Sequence, residues 1–258
     1  MIDFHAHTNM SYCAESCITP ETYSKLVKTN PDVDAIYITD HGMAVYFPSD
    51  VAWSWSYMTD SRIFDAQKDW GNKRLDAHLA NIARFKDDGI HSGLEVEMMH
   101  DGRLTIDDPF RDKVEILIGS VHYLPIDIEE EKKKILKEWK KHTINLLNTG
   151  ISILGHPFRW ISSQIEVDRK IIREIVKEAK KTGVAMELNG HHVVPTDIGM
   201  LQECVEQGVP VAIGTDAHAM GEIGDFSYHI EIIGAAGLKM TDIKMFTPKA
   251  PSKTGKDV

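Results

Sequence analysis

The segment Ile2-Asp3-Phe4-His5-Ala6-His7, at the beginning of the chain, combines a short apolar pattern with two histidines that are one residue apart. Side chains alternate between the two faces of a strand, so His5 and His7 are predicted to point to the same side. Two neutral imidazoles held in this way can bind one borderline divalent cation such as zinc. The segment therefore predicts a buried strand whose carboxyl end carries metal-binding side chains.

Six further short apolar runs follow along the chain and alternate with amphipathic stretches. These runs cover residues 35–39, 92–98, 115–121, 151–154, 184–188 and 210–214. Helical periodicity and end signals predict helices over 20–28, 72–87, 129–147 and 167–181. Strands that alternate with helices favour parallel βαβ units, and about seven of them fit an α/β barrel better than a small open sheet.

Six histidines lie at or just after the carboxyl ends of predicted strands: His5, His7, His41, His122, His156 and His218. In an α/β barrel these ends converge on one face, where catalytic groups gather. Glu95 and Asp216 lie at similar positions and can add the negative charge that stabilises bound metal. A single strand-end histidine is more often an ordinary hydrogen-bonded residue. Burying this whole set without a cation or dense hydrogen bonding would cost free energy, so the set predicts a metal centre.

The composition is that of an ordinary globular protein, with 42% hydrophobic and 26% charged residues in a chain of 258. The formal net charge of −10 argues against a stable complex with nucleic acid, which needs clustered lysine and arginine. No apolar run reaches the roughly 18–20 residues that span a bilayer, no signal peptide is visible, and three cysteines suggest no disulfide framework. We expect a cytoplasmic protein with a small-molecule partner and no membrane partner, and the sequence favours no particular oligomeric state.

The strand-end residues carry a resemblance to the polymerase and histidinol phosphatase (PHP) superfamily. The matching pieces are Asp3-Phe4-His5-Ala6-His7, Thr39-Asp40-His41, Gly93-Leu94-Glu95, Gly119-Ser120-Val121-His122, Gly155-His156-Pro157, Glu187-Leu188-Asn189 and Asp216-Ala217-His218. The Gly-Ser-Val-His segment and the chain length are most similar to the histidinol-phosphate phosphatase branch. The resemblance implies a distorted (β/α)7 TIM-like barrel with a metal site at the carboxyl ends of its strands. We expect a single barrel domain over residues 1–240 and a partly loose C-terminal extension over 241–258.

The resemblance also implies two or three divalent ions, commonly zinc, manganese or iron. One ion would take His5, His7, Glu95 and Asp216, a second would share Glu95 and add His122 and His156, and a third would take His41 and His218. Many relatives supply a further third-site ligand five or six residues after the second histidine of the first motif, where this chain has Tyr12 and Cys13, with Glu15 nearby. Cys13 as a thiolate, or Glu15, is the expected replacement. A weak or absent third site, with Cys13 as a small buried residue, is the alternative.

The predicted function is hydrolysis of a small phosphate monoester, with histidinol phosphate as one candidate, by a metal-activated hydroxide. His218 and His41 are the candidate proton donors to the leaving oxygen. Arg159 is a candidate phosphate-binding residue, with a surface salt bridge as the equal alternative. The other functions considered are an amidohydrolase-like hydrolase of C–N or C–O bonds, a nucleotide or oligonucleotide phosphodiesterase of the same superfamily, and a non-catalytic metal-binding protein.

The segment 43–71 is rich in aromatic residues and is predicted to be an inserted loop, either a lid over the site or a small packed subdomain. His191 and His192 follow another strand end and are expected to line the pocket. Five histidines in predicted helices or turns are expected to have no role: His78, His91, His100, His142 and His229.

Overall fold

The computed structural model describes residues 1–248, and its strands form one parallel sheet with the strands in chain order. They are β1 (Ile2–Ala6), β2 (Ala35–Ile38), β3 (Ile90–Val96), β4 (Ile116–Gly119), β5 (Ile153–Leu154), β6 (Ala185–Asn189) and β7 (Val211–Gly214). The sheet curls until its two edges meet. The amide of His7 donates to the carbonyl of Ala217 at 3.2 Å, and the amide of Asp216 donates to the carbonyl of His5 at 2.6 Å. The predicted (β/α)7 TIM-like barrel is confirmed.

A buried carboxylate reinforces the seam between β1 and β7. Asp3 Oδ1 accepts a hydrogen bond from the amide of Thr215 at 2.9 Å, and Oδ2 accepts one from the Thr215 hydroxyl at 2.6 Å. Burial raises the pKa of Asp3 to about 6, although the bonds from Thr215 act in the opposite direction. The pairing of β1 with β2 also shifts between Asp3 and Ala6, as a bulge does, and bulges commonly re-aim side chains beside functional sites.

The helices lie outside the strands. They are α1 (Pro20–Thr29), α2 (Gly42–Tyr46), α3 (Ser49–Ser54), α4 (Arg62–Ala83), α5 (Lys132–Leu147), α6 (Arg159–Ser162), α7 (Arg169–Thr182), α8 (Asp197–Gln207) and α9 (Ser227–Ala235). Helix α1 begins where the sequence predicts, because the Thr19 side chain caps it and Pro20 occupies its first turn. Helix α7 ends at Gly183, which adopts the left-handed conformation of a C-cap.

The aromatic segment 43–71, predicted as an inserted loop that forms either a lid or a small packed subdomain, is largely helical. It contains α2, α3 and the first turns of α4, which begins at Arg62 rather than at residue 72. The short helices α2 and α3 show too few turns for a periodic pattern to be visible. Gly71 looks like a loop residue in sequence, but it lies within α4, where a Cβ atom would come within 2.2 Å of the Tyr46 ring. The segment is thus packed onto the barrel through Tyr46 and the buried Phe47.

The first part of the C-terminal extension is docked and not loose. Met245 pairs with Val211 at the start of β7, Ile243 is buried, and the Phe246 ring packs edge-on against Phe4 with centroids 5.1 Å apart. Residues 249–258, the rest of the extension that was predicted to be partly loose, lie outside the described residues. None of the helices within residues 1–248 has the length and apolarity needed to cross a membrane.

The barrel interior is apolar apart from the site. One cluster brings together side chains from strands around the barrel, namely Phe4, Tyr37, Ile116, Ile118, Ile153, Ala185 and Ala212, with Phe246 packed against it. At the carboxyl end of β7 the packing changes, because Gly214 leaves room for polar groups. A Cβ atom at this position would lie 2.2 Å from Glu187 Oε1 and 2.5 Å from the Cβ of His5.

We expect Gly214→Ala to lower the free energy of unfolding by about 1–3 kcal/mol, because it overpacks the interior against Glu187 and His5. Urea denaturation measures this change. Gly234→Ala in α9 is the control, because a Cβ atom there meets nothing within 4 Å. It should leave the free energy of unfolding unchanged or raise it by up to about 1 kcal/mol, since alanine is the better helix former. Equal effects of the two substitutions would contradict this account.

Candidate metal centre

The predicted ligands lie together at the carboxyl end of the barrel, around Glu95. Glu95 Oε2 is 3.4 Å from His5 Nε2 and 2.6 Å from His41 Nδ1. Glu95 Oε1 is 3.2 Å from His122 Nε2 and 3.0 Å from His156 Nε2. The carboxylate therefore faces two groups of imidazoles, one with each of its oxygens.

His5, His7 and Asp216 form a compact group beside Glu95 Oε2. The two histidine Nε2 atoms are 3.1 Å apart, His7 Nε2 is 2.8 Å from Asp216 Oδ1, and His5 Nε2 is 3.4 Å from the same oxygen. A tetrahedral zinc site with bonds of about 2.0–2.1 Å places its ligand atoms about 3.3 Å apart. The separations in this group are close to that value.

The hydrogen bonds of His5 and His7 fix which nitrogen carries the proton. His5 Nδ1 lies 2.7 Å from Glu187 Oε1, and a carboxylate only accepts, so Nδ1 is the donor. His7 Nδ1 lies 3.0 Å from Ser11 Oγ, whose own proton goes to Asp40 Oδ1 at 2.6 Å, so this Nδ1 is also the donor. In the neutral rings both Nε2 atoms are then unprotonated, and their lone pairs face each other.

The same arrangement holds on the other side of Glu95. His122 Nδ1 donates to Glu97 Oε1 at 2.9 Å, and Glu97 Oε2 in turn accepts from the Thr105 hydroxyl at 2.8 Å. His218 Nδ1 donates to the carbonyl of Asp216 at 2.7 Å. Carboxylates and carbonyls that hold Nδ1–H in this way orient metal-ligating histidines and leave Nε2 for the metal.

Several buried polar atoms at the centre have no hydrogen-bond partner among residues 1–248. They are Glu95 Oε2, Asp216 Oδ1, His41 Nδ1 and His156 Nδ1. Glu95 Oε2 and His41 Nδ1 are close together, as are Asp216 Oδ1 and His7 Nε2, but neither pair has the geometry of a hydrogen bond. Leaving buried polar atoms unpaired costs free energy, whereas a cation between them would satisfy them. The donor set therefore fits divalent metal ions of the kind that imidazole and carboxylate bind.

The electrostatics of the group also favour added positive charge. Burial alone raises the pKa of Glu95, yet the surrounding imidazoles hold it well below its usual value. Burial alone lowers the pKa of His5, yet Asp216, Glu187 and Glu95 raise it well above its usual value. Burial and the nearby His218 and His41 lower the pKa of His7 to about 3. The carboxylates of the cluster thus attract positive charge, whereas His7 stays neutral and keeps a nitrogen lone pair for a metal ion.

The third predicted group contains His41, His218 and Cys13. The Cys13 thiol lies beside both imidazoles, which lower its pKa to about 6 although partial burial acts in the opposite direction. The Glu15 carboxylate accepts instead from the amide of Met220 at 3.0 Å and lies next to Cys17. Of the two predicted replacements, Cys13 is therefore the one whose donor atom lies next to His41 and His218.

Sequence reasoning missed the residues that support the ligands. Glu187 contacts His5 through one oxygen, and its other oxygen accepts from the amide of His156 at 2.5 Å. His78, predicted to have no role, lies 2.9 Å from Asp40 Oδ2 and is buried. His229, also predicted to have no role, contacts the carbonyls that end β6 and β7. The sequence did contain one signal for these supporting residues. Two acidic residues, Asp40 and Glu187, lie in or next to buried strands, in the segments Thr39-Asp40-His41 and Glu187-Leu188-Asn189.

Two of the predicted ligands have left-handed backbone conformations that non-glycine residues rarely adopt. His156 has φ 24° and Asp216 has φ 54°. Such conformations cost roughly 1–3 kcal/mol each and persist where surrounding contacts hold them, commonly at functional sites. Here two hydrogen bonds hold these conformations. The His156 amide donates to Glu187, and the Asp216 amide donates to the carbonyl of His5 across the seam.

A cavity of about 300 Å³ opens onto the centre. Its wall contains Cys13, His41, Met43, Trp53, Trp55, His122, Arg159, His191, His192 and His218. The helical segment 43–71 supplies the apolar side, where Trp55 stacks on Tyr123 with ring centroids 5.6 Å apart. Arg159 and the histidines supply the polar side. The predicted position of Arg159, His191 and His192 at the pocket thus agrees with the structure.

The structure is thus a parallel α/β barrel that gathers imidazoles and carboxylates around one buried glutamate at the strand ends, in groups that could hold metal ions. Residues 3–191 match the PHP domain family, and the chain belongs to that family.

Individual relatives agree with this placement. The chain is 28% identical over 254 residues to a probable phosphatase of Thermoanaerobacter sp. (strain X514), covering 92% of this chain and 87% of the relative. It is 28% identical over 162 residues to the DNA polymerase/3'-5' exonuclease PolX of Bacillus subtilis, covering 59% of this chain and 25% of that protein. An apo crystal structure from Agrobacterium tumefaciens matches 93% of this chain and 90% of that one with a TM-score of 0.51. At 10% identity it shows a shared fold alone.

We expect Glu187→Gln to weaken metal binding by about 10- to 100-fold, because it removes the charged acceptor that orients His5. Competition with a chelating indicator measures the affinity. Glu231→Gln, at an exposed position of α9, is the matched control and should leave the affinity unchanged. An unchanged affinity in Glu187→Gln would contradict the supporting role.

We expect the cobalt-loaded protein to show a thiolate-to-cobalt charge-transfer absorption that Cys13→Ser abolishes, because a thiolate ligand gives this signature and a nearby unbound thiol does not. Elemental analysis should show one bound ion fewer in Cys13→Ser. Cys17→Ser, four residues away, is the control. Identical spectra and metal counts in wild type and Cys13→Ser would remove Cys13 from the ligands.

Proposed function

We propose that this protein hydrolyses phosphate monoesters of small organic molecules with the help of two or three divalent ions, zinc, manganese or iron. The observation that supports this most directly is the set of imidazole nitrogens that face the two oxygens of the buried Glu95 carboxylate. Bound ions at such a centre neutralise phosphate oxygens and lower the pKa of water, which supplies hydroxide near neutral pH.

Glu95 is proposed to join two ion positions. One would be held by His5, His7, Asp216 and one Glu95 oxygen, and the other by His122, His156 and the second Glu95 oxygen. The two oxygens already face these separate groups of nitrogens. Glu187 and Glu97 hold His5 and His122 in the required tautomer.

Arg159 is proposed to bind the substrate phosphate. It lies at the start of α6, directly after the strand-end segment that carries His156, and it lines the cavity. A guanidinium can form paired hydrogen bonds to phosphate, which suits a binding role at the cavity wall.

His41 and His218 are proposed as ligands when a third ion is bound and as proton donors when only two are bound. Burial alone lowers the pKa of His218, but Cys13 and Asp216 raise it above its usual value, which favours the protonated ring. With Nδ1 fixed on the Asp216 carbonyl, Nε2 is the atom that would protonate the leaving oxygen. The metal count of Cys13→Ser distinguishes the two situations.

A small monoester is favoured over a long polymer because the cavity is small and the chain has a net charge of −10. Trp53 and Trp55 can pack against an organic group next to the phosphate. Histidinol phosphate, with its flat imidazole, is one candidate of this size. The match with probable phosphatases over most of their length supports the same choice. Family membership favours it over the amidohydrolase alternative.

The test is a substrate screen of the metal-stripped protein after reconstitution with zinc, manganese or iron(II). Histidinol phosphate, sugar phosphates and nucleotides represent monoesters, and bis(p-nitrophenyl) phosphate represents diesters. Amides and lactones represent the amidohydrolase alternative. We expect phosphate release from monoesters only. Preferential cleavage of the diester, an amide or a lactone would contradict the proposal.

We expect Glu95→Gln and Asp216→Asn to abolish monoester hydrolysis and to reduce the number of bound ions, since each replaces a charged ligand by a neutral amide. Phosphate release and elemental analysis measure the two effects. Glu231→Gln is again the control. Full activity in both ligand variants would refute the assignment of the centre.

A further inference from the structure

His192 lies at the metal centre although the family resemblance gives it no ligand role. Its Nε2 is 3.8 Å from Asp216 Oδ2, and its ring stands edge-on to the ring of His156 with centroids 5.1 Å apart. The donor atoms of His156, His192 and Asp216 all lie within 4.8 Å of one another. Small side-chain rotations would bring these three donor atoms close enough to bind one shared ion.

The position of His192 is fixed by the same network that supports the other ligands. Its backbone amide donates to Asn189 Oδ1 at 2.7 Å. Asn189 Nδ2 donates to Glu187 Oε2 at 3.1 Å and to Asp216 Oδ2 at 3.0 Å. One amide side chain therefore ties the loop after β6 to Glu187, which orients His5, and to Asp216.

Asp216 divides its two oxygens between different neighbours. Oδ1 faces His5 and His7, whereas Oδ2 faces Asn189 and His192. On the other side of His192 lies the ring of the buried His156. Two groups that could bind metal thus flank His192 from two different strand ends.

We infer that His192 is an additional ligand of the second ion position, beside His156, with Asp216 Oδ2 as its neighbour in the same shell. The inference rests on the proposed metal centre and adds a ligand from the loop after β6. This loop also carries His191, which lines the cavity wall. Loading of the second ion would therefore order part of the substrate-binding wall.

The test compares His192→Gln with His191→Gln in the cobalt-loaded protein. The adjacent His191 is a matched control, because it lies in the same loop and its ring also lines the cavity. Cobalt(II) shifts the ring N–H proton signals of the histidines that bind it far outside the normal proton NMR range. Counting these exchangeable signals reports coordination directly, independently of activity.

We expect His192→Gln to lose one shifted N–H signal and to bind one of the ions at least about tenfold more weakly in competition with a chelating indicator. His191→Gln should keep every signal and the wild-type affinities. Wild-type binding with all signals retained in His192→Gln would overturn this inference and leave the proposed function intact. Absence of any shifted signal in the wild-type protein would overturn both. Equal losses in the two variants would show a general disturbance of the loop and would also overturn it.

Discussion

Lone pairs on imidazole nitrogens that face one another across a buried carboxylate require positive charge between them. Glu187 and the Ser11–Asp40 pair fix the protons of His5 and His7 on Nδ1, and Glu97 does the same for His122. This fixed choice of tautomer suits the strand-end histidines to metal binding, because rings free to rotate could satisfy one another by hydrogen bonding. The outer carboxylates are therefore as necessary to the site as the ligands.

The barrel supplies what this network needs in space. Parallel strands deliver their carboxyl ends to one face, so residues far apart in sequence meet without long loops. Glycine at the end of β7 leaves room for the Glu187 carboxylate, and at Gly155 a Cβ atom would come within 2.2 Å of Ser120 Oγ. Small residues beside the carboxylates and large apolar residues below them divide the interior into a polar upper layer and an apolar lower layer.

The strands and the inner ligands could be predicted from sequence because both follow short-range rules. Apolar runs identify the strands, and His-x-His predicts two side chains on one face of a strand. Asp216 and His218 also reach the site, although they follow the end of β7 and Asp216 has a left-handed backbone. The helices of residues 43–71 could not be predicted, since two of them are only five and six residues long and Gly71 imitates a loop. His78 and Glu187 were missed as supports because their partners, Asp40 and His5, lie 38 and 182 positions away. The choice between Cys13 and Glu15 depended on which side chain the loop turns inward.

Because the site spans the seam between β1 and β7, its ligands come together late in folding. Asp216 and His218 follow all seven strands in the chain, whereas His5 and His7 lie in or next to the first strand. A complete ligand set therefore exists only once the last strand has closed against the first. Bound metal would then join the two edges of the sheet and stabilise the closed form, because ligands spread over so long a loop are assembled only in the folded chain.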